Sequence, residues 1–442
     1  PAVINAEWGV WFDEAIRVGL SAHAGHGAFV TSCGYHCSLW TTTRIRALTP
    51  AEAFARWYTE GAQALPSRLL ADGAADMISM ARPFLADPEF VNKAAAGRAD
   101  EINTCIACNQ ACLDHTFGGK LTSCLVNPRA CHETELNFIP TTQVKNIAVV
   151  GAGPAGLAAA TVAAERGHQV TLFDAADKIG GQFNIAKLIP GKEEFYETLR
   201  YFGKRIEKTG VKLELNRRVD ASDLAEFDEV ILATGIVPRT PDIPGIDHPK
   251  VISYLDAILQ RKPVGHKVAV IGAGGIGFDV SEMITHQGTS PSQDIDLFWK
   301  EWGIDPELKA RGGIAGITPQ PHPPAREVYL LQRKNSKVGN GLGKTTGWIH
   351  RTQLKNKGVQ MMPGVEYLKI DDEGLHITVH GEPKVLDVDH VVLCAGQEPQ
   401  RELQGGLEAT GHKVHLIGGA DKAVELDAKR AIDQGARLAA AL

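Results

Sequence analysis

The sequence predicts an α/β protein with two parallel-sheet units, one nested inside the other, and three observations carry that prediction. From Asn146 onward, apolar strand-like runs alternate with helical patterns, the order that parallel strands with covering crossovers require. Two of these runs, Asn146 to Val150 and Lys267 to Ile271, lead through glycine-rich turns into helices. The last residues return to Gly418 and Gly419 and then a final helix, so the first unit is expected to close only there.

Taken in order, the elements begin indistinctly. Four of the seven tryptophans lie before residue 60, and periodicity is hard to find between Gly19 and Trp57. Patterning starts near Leu70, with Ala75 to Met80 as an apolar strand leading to Ala81 and Arg82. The strand Asn146 to Val150 is followed by Gly151, Gly153, Ala155 and Gly156 in a turn, an alanine-rich helix, and the strand Gln169 to Phe173. A helix over Glu194 to Lys208 and a strand over Glu229 to Ala233 ending in Thr234 and Gly235 complete this stretch. The second unit opens with Gly272, Gly274 and Gly277 after its strand, and strands at Glu327 to Leu331 and His390 to Cys394 follow. Residues 288–324, rich in Ser, Pro and Gly, read as a long surface excursion with no chemistry assigned.

Composition narrows the function classes. A length of 442 residues suggests about three domains, and 44% hydrophobic with 22% charged residues is ordinary for a folded chain. With 46 Lys and Arg against 52 Asp and Glu, the net charge of -6 gives no reason to expect nucleic acid or an anionic membrane as partner. No long apolar run or signal-peptide pattern is present, which predicts a cytoplasmic protein.

The glycine turns carry the chemistry. Glycines between a strand and a helix allow a pyrophosphate to approach the helix N-terminus closely. Asp174, ending the next strand, is placed to accept ribose hydroxyls, and Gly181 and Gln182 follow. The first unit is therefore a Rossmann-like dinucleotide site with an acid suited to a plain ribose. In the second unit the corresponding strand ends in Gln332, Arg333 and Lys334, which would pair with a 2′-phosphate and favour NADP over NAD. The alternative is that these cations only cover a solvent-facing strand end.

Eight cysteines are too few for a disulfide scaffold, yet five fall between Cys105 and Cys131. Cys105, Cys108, Cys112 and Cys124 follow a CxxCxxxCx11C spacing. Four thiolates suit zinc or an iron–sulfur cluster; three clustered cysteines and a distant fourth match a [4Fe-4S] cluster better than zinc's paired CxxC. Cys131 reads as a spare buried thiol. Cys33, His36 and Cys37 read as coincidence.

The stretch Asp76 to Pro88, the four-cysteine loop, Val150 to Gly156 and Gly341 to Trp348 together resemble the bacterial 2,4-dienoyl-CoA reductases, relatives of trimethylamine dehydrogenase and the old yellow enzymes. The resemblance runs from about Leu70 to Leu442. It implies a (β/α)8 barrel holding FMN and an unsaturated acyl-CoA, a [4Fe-4S] cluster, and FAD and NADPH domains, working in fatty-acid β-oxidation. It implies that Cys105, Cys108, Cys112 and Cys124 are cluster ligands. Gly153, Asp174, Gln182 and Val219 would line the FAD site, and Gly419 and Asp421 would close it. Arg333 and Lys334 would read the NADP phosphate, and Ala81 and Arg82 would be the last piece of the FMN phosphate site.

The implied layout is a partial FMN-barrel remnant over 1–100, an iron–sulfur segment over 101–143, the FAD domain over 144–263 and 391–442, and the inserted NADPH domain over 264–390. A whole barrel needs about 250 residues, and at most 104 precede Cys105. The family's Trp-His-Glu-Ala setting corresponds to Trp11, Phe12, Asp13, Glu14 and Ala15, without a histidine, so no catalytic residue is assigned. Alternatives are an electron-transfer module passing NADPH electrons through FAD and the cluster to a partner chain or other acceptor, and a fragment that binds nucleotides without turnover.

Overall fold

The computed structural model describes residues 29–32, 37–41, 71, 78–307, 309–423 and 427–442. Much of the expected barrel remnant, including Trp11 to Ala15 and Cys33, lies outside them. Within that region Phe29–Ser32 (β1), Cys37–Thr41 (β2) and Ile78–Met80 (β3) form a three-stranded sheet with both pairings antiparallel. The reason is local: four residues separate β1 from β2, too few for a parallel crossover.

The strands of the two main units are, in chain order, Asn146–Val150 (β4), Gln169–Phe173 (β5), Lys212–Glu214 (β6), Glu229–Leu232 (β7), Ile236–Pro238 (β8), Val251–Ser253 (β9), Lys267–Ile271 (β10), Glu327–Leu331 (β11) and Gln360–Met362 (β12). Val365–Asp371 (β13), Gly374–Val379 (β14), Glu382–Leu386 (β15), His390–Leu393 (β16), Gln397–Pro399 (β17) and Lys413–Leu416 (β18) complete them. The first sheet has the order β18-β7-β4-β5-β6 and the second β12-β11-β10-β16-β9, both wholly parallel. All of β7 and the last four residues of β4 and β10 are buried, the pattern of strands covered on both faces.

Nesting is as expected, with one shift of boundary. The second sheet takes in β9 and β16, so it starts before residue 264 and ends after residue 390. The cause is pairing: Val391, Val392 and Leu393 lie between β10 and β9 in register. The antiparallel pair β8–β17 links the units, and the meander β13–β15 packs Val365, Ile370, Leu375, Ile377 and Leu386 under the second sheet.

The helices that matter for the site are Pro154–Glu165 (α1), Phe195–Thr209 (α2), Gly275–Thr285 (α3), Ile295–Trp302 (α4), Gly347–Asn356 (α5) and Ala428–Ala441 (α6). Helices α1 and α6 pack closely because both present small residues. A Cβ on Gly435 would lie 2.3 Å from the Ala155 carbonyl oxygen. Among the described residues, no helix is long and apolar enough to cross a membrane.

Candidate functional site

The two glycine turns are near-copies. Gly151 has φ 108° and Gly272 φ 107°, values that glycine alone adopts without strain. Gly153 and Gly274 are extended N-caps of α1 and α3, leaving helix N–H groups free for an anion. A Cβ on Gly156 or Gly277 would sit 1.8 Å from the carbonyl oxygen of Gly151 or Gly272 respectively, so these third glycines serve packing rather than ligand contact. Gly274 and Gly275 have no atom within 4 Å of a built Cβ, which leaves room beside the helix end.

In the first unit a second strand of backbone closes the cradle. A Cβ on Gly181 would lie 3.0 Å from Gly153 Cα, and Gly180 donates to the Ala152 carbonyl at 2.8 Å. Asp174 accepts from the Ala152 N–H at 2.6 Å and the Ala176 N–H at 2.8 Å. Both bonds fix its carboxylate at the cleft, and each oxygen keeps a lone pair for a ribose hydroxyl.

These turns open onto one continuous cleft of about 1150 Å³. Gly151, Gly153, Ala155, Asp174, Gly181, Gln182, Gly235, Gly274 and Gly419 line it, and so does Cys108. Gly156, Gly272, Gly277, Val219 and Asp421 do not line it. Val219 is buried among Phe173, Leu224 and Leu407. Asp421 instead accepts from the Gln434 side chain at 2.8 Å, while Gln434 accepts from the Gly418 N–H at 2.9 Å, bracing the loop before α6. The cleft, the extended N-caps and the open space at Gly274 fit two dinucleotides.

Arg333 and Lys334 are exposed beyond β11, outside the cleft. Gln332 shapes their loop by donating to the Lys334 and Ser336 carbonyls at 2.9 and 2.7 Å. Among the described residues neither cation has a carboxylate partner within salt-bridge distance, which leaves both able to meet an anion.

Cys105, Cys108, Cys112 and Cys124 line a single pocket with Arg82 and Leu85. Positive φ at Ala107 and Asn109 folds the loop around them. Burial raises the pKa of all four thiols, that of Cys124 to about 12. Backbone N–H groups of Ala107, Gln110, Val126 and Asn127 oppose this by bonding to Cys105, Cys108 and Cys124. Such a set takes the thiolate form when a metal supplies the charge. Tetrahedral zinc would bring all four sulfurs within about 3.8 Å of one another, from bonds of about 2.3 Å. Among the described residues the one three-ligand group within 4.8 Å is Asp371, Glu373 and His376. The four thiols and the backbone N–H groups bonded to them form a set that a thiolate-bound metal centre fits.

Ala81 is exposed and Arg82 starts a short helix. Rather than standing apart from the cysteines, Arg82 donates to Asn109 Oδ1 at 2.9 Å, and its charge favours the Cys105 and Cys112 thiolates.

Several cleft residues were not foreseen. Lys192 pairs with Asp279 at 2.5 Å, joining the first unit to α3. Glu282, buried on α3, holds His350 of α5 at 2.7 Å. Burial opposes the imidazolium, but the Glu282 carboxylate outweighs it and raises the His350 pKa. Glu194 also lines the cleft, and burial lifts its carboxyl to about 7. Residues 288–324 are not a bare excursion either, since α4 faces the cleft through Phe298, Glu301 and Trp302. The Asp294 cap was the sequence signal available for α4.

The pyridine nucleotide-disulphide oxidoreductase pattern matches residues 145–422. A metal reductase from Desulforamulus reducens is 33% identical over 364 residues, covering 81% of this chain and 53% of the relative. A cinnamate reductase from Clostridium sporogenes is 29% identical over 362 residues, covering 81% and 49%. The structure of a 2-naphthoyl-CoA reductase in complex with 2-naphthoyl-CoA superposes with TM-score 0.74 and 27% identity, covering 86% of this chain and 52% of that one. The chain thus spans about half the length of these relatives. The matched pattern covers most of both nucleotide units and more than half of the sequence, so this chain belongs to the pyridine nucleotide-disulphide oxidoreductase family and carries the flavoprotein oxidoreductase fold with FAD and NAD(P)H sites.

Proposed function

We propose that the chain is the electron-input part of a 2,4-dienoyl-CoA reductase-type enzyme, taking electrons from NADPH and delivering them to an unsaturated acyl-CoA. The continuous cleft between the two glycine turns and Cys108 carries this reading. When bound, FAD would supply conversion between two-electron and one-electron transfer, and a [4Fe-4S] cluster held by the four cysteines would supply one-electron transfer.

The chain's own residues supply the rest. The N-termini of α1 and α3 hold pyrophosphates, Asp174 holds a ribose, and Arg333 and Lys334 hold a 2′-phosphate. Lys192 and Asp279 fix the two units across the cleft. Cys105, Cys108, Cys112 and Cys124 hold the cluster, with Arg82 beside them. The thioester of the naphthoyl-CoA relative supports an acyl-CoA acceptor.

A second reading keeps the same input but a different acceptor. It is favoured by relatives named metal reductase and NADH oxidase, whose names carry no thioester. The test is cofactor extraction with iron and sulfide counts, then anaerobic NADPH oxidation with either a dienoyl-CoA or a dye as acceptor. FAD, iron and dye reduction are expected of the chain alone, and loss of the dienoyl chromophore only when an FMN-holding barrel of the family is supplied with it. Dye reduction alone, with that barrel present, would favour the second reading, and absence of flavin or iron would overturn both.

A further inference from the structure

The loop from Gly341 to Thr346 belongs to neither glycine turn, yet it grips the cysteine segment at several points. Cys112 is the N-cap of a short helix, Leu113–Phe117. Asp114 on that helix accepts from both the N–H and the Oγ1 hydroxyl of Thr345, at 2.8 and 2.7 Å. Thr345 is buried, so these charge-assisted bonds are shielded from water. Lys344 donates to the Phe117 carbonyl, at the other end of the helix, at 2.5 Å. Gly343 makes the approach possible, since a Cβ there would lie 3.0 Å from Asp114 Oδ2 and 2.8 Å from Thr346 Oγ1. The loop thus straddles a helix that starts at a candidate metal ligand, although Asp114 and Thr345 are 231 positions apart in the chain.

A helix of five residues does not hold itself. Nucleation fixes several dihedrals for one hydrogen bond, so a single turn forms only where its surroundings support it. Lys429 of α6 donates to His115 Nε2 at 3.3 Å, which ties the turn to the first unit, and the loop at Lys344 and Thr345 ties it to the second. The remaining tie is Cys112, whose carbonyl accepts from the N–H and Oγ1 of Thr116, both at 3.0 Å. Its side chain lies in the pocket shared with Cys105, Cys108 and Cys124, so a metal on the four sulfurs would fix the first residue of the helix. Two constraints on one short element assist each other: whichever forms first has ordered the helix, and the other then has less to order.

We propose that Asp114 is a positioning residue through which the second unit and the cysteine centre stabilise one another. The grip of Thr345 and Lys344 on the short helix slows loss of metal from Cys112, and metal at Cys112 tightens the hold on the loop ahead of α5. This rests on the metal reading of the four cysteines. The coupling is reciprocal because both effects share one free energy. It also extends along the chain: α5 begins at Gly347, directly after the loop, and its His350 is bonded to Glu282 of α3 at 2.7 Å, so the grip on the loop sets α5 against α3.

The test is the rate at which a chelator removes iron and sulfide from the FAD-loaded protein, together with hydrogen exchange over residues 341–356. Thr345→Val and Lys344→Ala, both in the second unit, should each speed iron loss about fivefold, while Thr345→Ser, which keeps the hydroxyl, should stay at the wild-type rate. Gly374→Ala is the comparison variant: its Cβ would lie 2.1 Å from the Leu386 carbonyl oxygen, so it should lower the melting temperature and leave iron loss unchanged. In the wild type, residues 341–356 should exchange faster once iron is stripped. Unchanged iron loss in both Thr345→Val and Lys344→Ala would overturn the proposal, as would exchange that stripping does not alter. Equal acceleration by Gly374→Ala would also overturn it, since the effect would then be general loosening. If the wild-type protein holds no iron, the metal reading of the cysteines falls, and the coupling with it.

Discussion

At the scale of residues, the third glycine of each turn and the second have different jobs, and substitution should separate them. Gly277→Ala places a methyl group 1.8 Å from the Gly272 carbonyl oxygen, which backbone can relieve only by shifting. Overpacking of this kind costs about 1–3 kcal/mol or more, so a lowered melting temperature is expected. Gly274→Ala meets no atom within 4 Å, and its melting temperature should stay near that of the wild type while NADP⁺ affinity falls. His350 gives a second test. Its pKa is raised in the fold by Glu282 against the opposing effect of burial, so the pair's contribution is complete below the ordinary histidine pKa and is lost as pH rises through the raised value. Melting temperatures from about pH 6 to about pH 9 should fall more steeply for wild type than for Glu282→Gln. Parallel curves would show that the pair does not couple folding to protonation.

At the scale of elements, the cysteine loop should hold iron and inorganic sulfide. Cys108→Ser should abolish the cluster's visible absorbance and leave NADPH-driven flavin reduction largely intact, which stopped-flow bleaching of the flavin band would show. Zinc in the wild-type protein would contradict this. The elements also show how far sequence alone reaches. Strands β4, β5, β10 and β11 were legible to the residue, because each is a short apolar run ended by glycine, an acid or polar residues. Helix α2 is displaced by a single residue at each end from the expected Glu194 to Lys208. Helix α4 was not legible: eight residues among Ser, Pro and Gly give too short a pattern, and its orientation depends on Lys357, 56 positions from Glu301. Pairs such as Lys192–Asp279 and Glu282–His350, separated by 87 and 68 positions, leave no local periodic trace.

At the scale of the whole molecule, two turns of nearly equal geometry mean that the choice of cofactor lies at the strand ends. Asp174 terminates one β-strand and Arg333 follows the other. NADPH should therefore be used at least about tenfold more efficiently than NADH, since a charge-assisted phosphate contact contributes about 1.5 kcal/mol or more. Arg333→Ala should reduce that preference through the NADPH value of kcat/KM alone. Equal losses with both nucleotides would mean that Arg333 does not read the phosphate.

The nested order of the sheets also imposes a schedule on synthesis. The inner sheet is complete once Leu393 has emerged, whereas the outer sheet waits for β18 and α6. At about 5–20 residues per second, the 23 residues from Leu393 to the end of β18 take about 1–5 s to follow. Throughout that interval β7 has β4 on one side and no partner on the other, although all four of its residues are apolar or buried in the finished protein. An open apolar edge is a template for pairing with another chain. Nascent chains halted near residue 400 should therefore have a protease-resistant inner unit and a first unit that aggregates or recruits a chaperone, and β18 acts as the cap that ends this period of vulnerability.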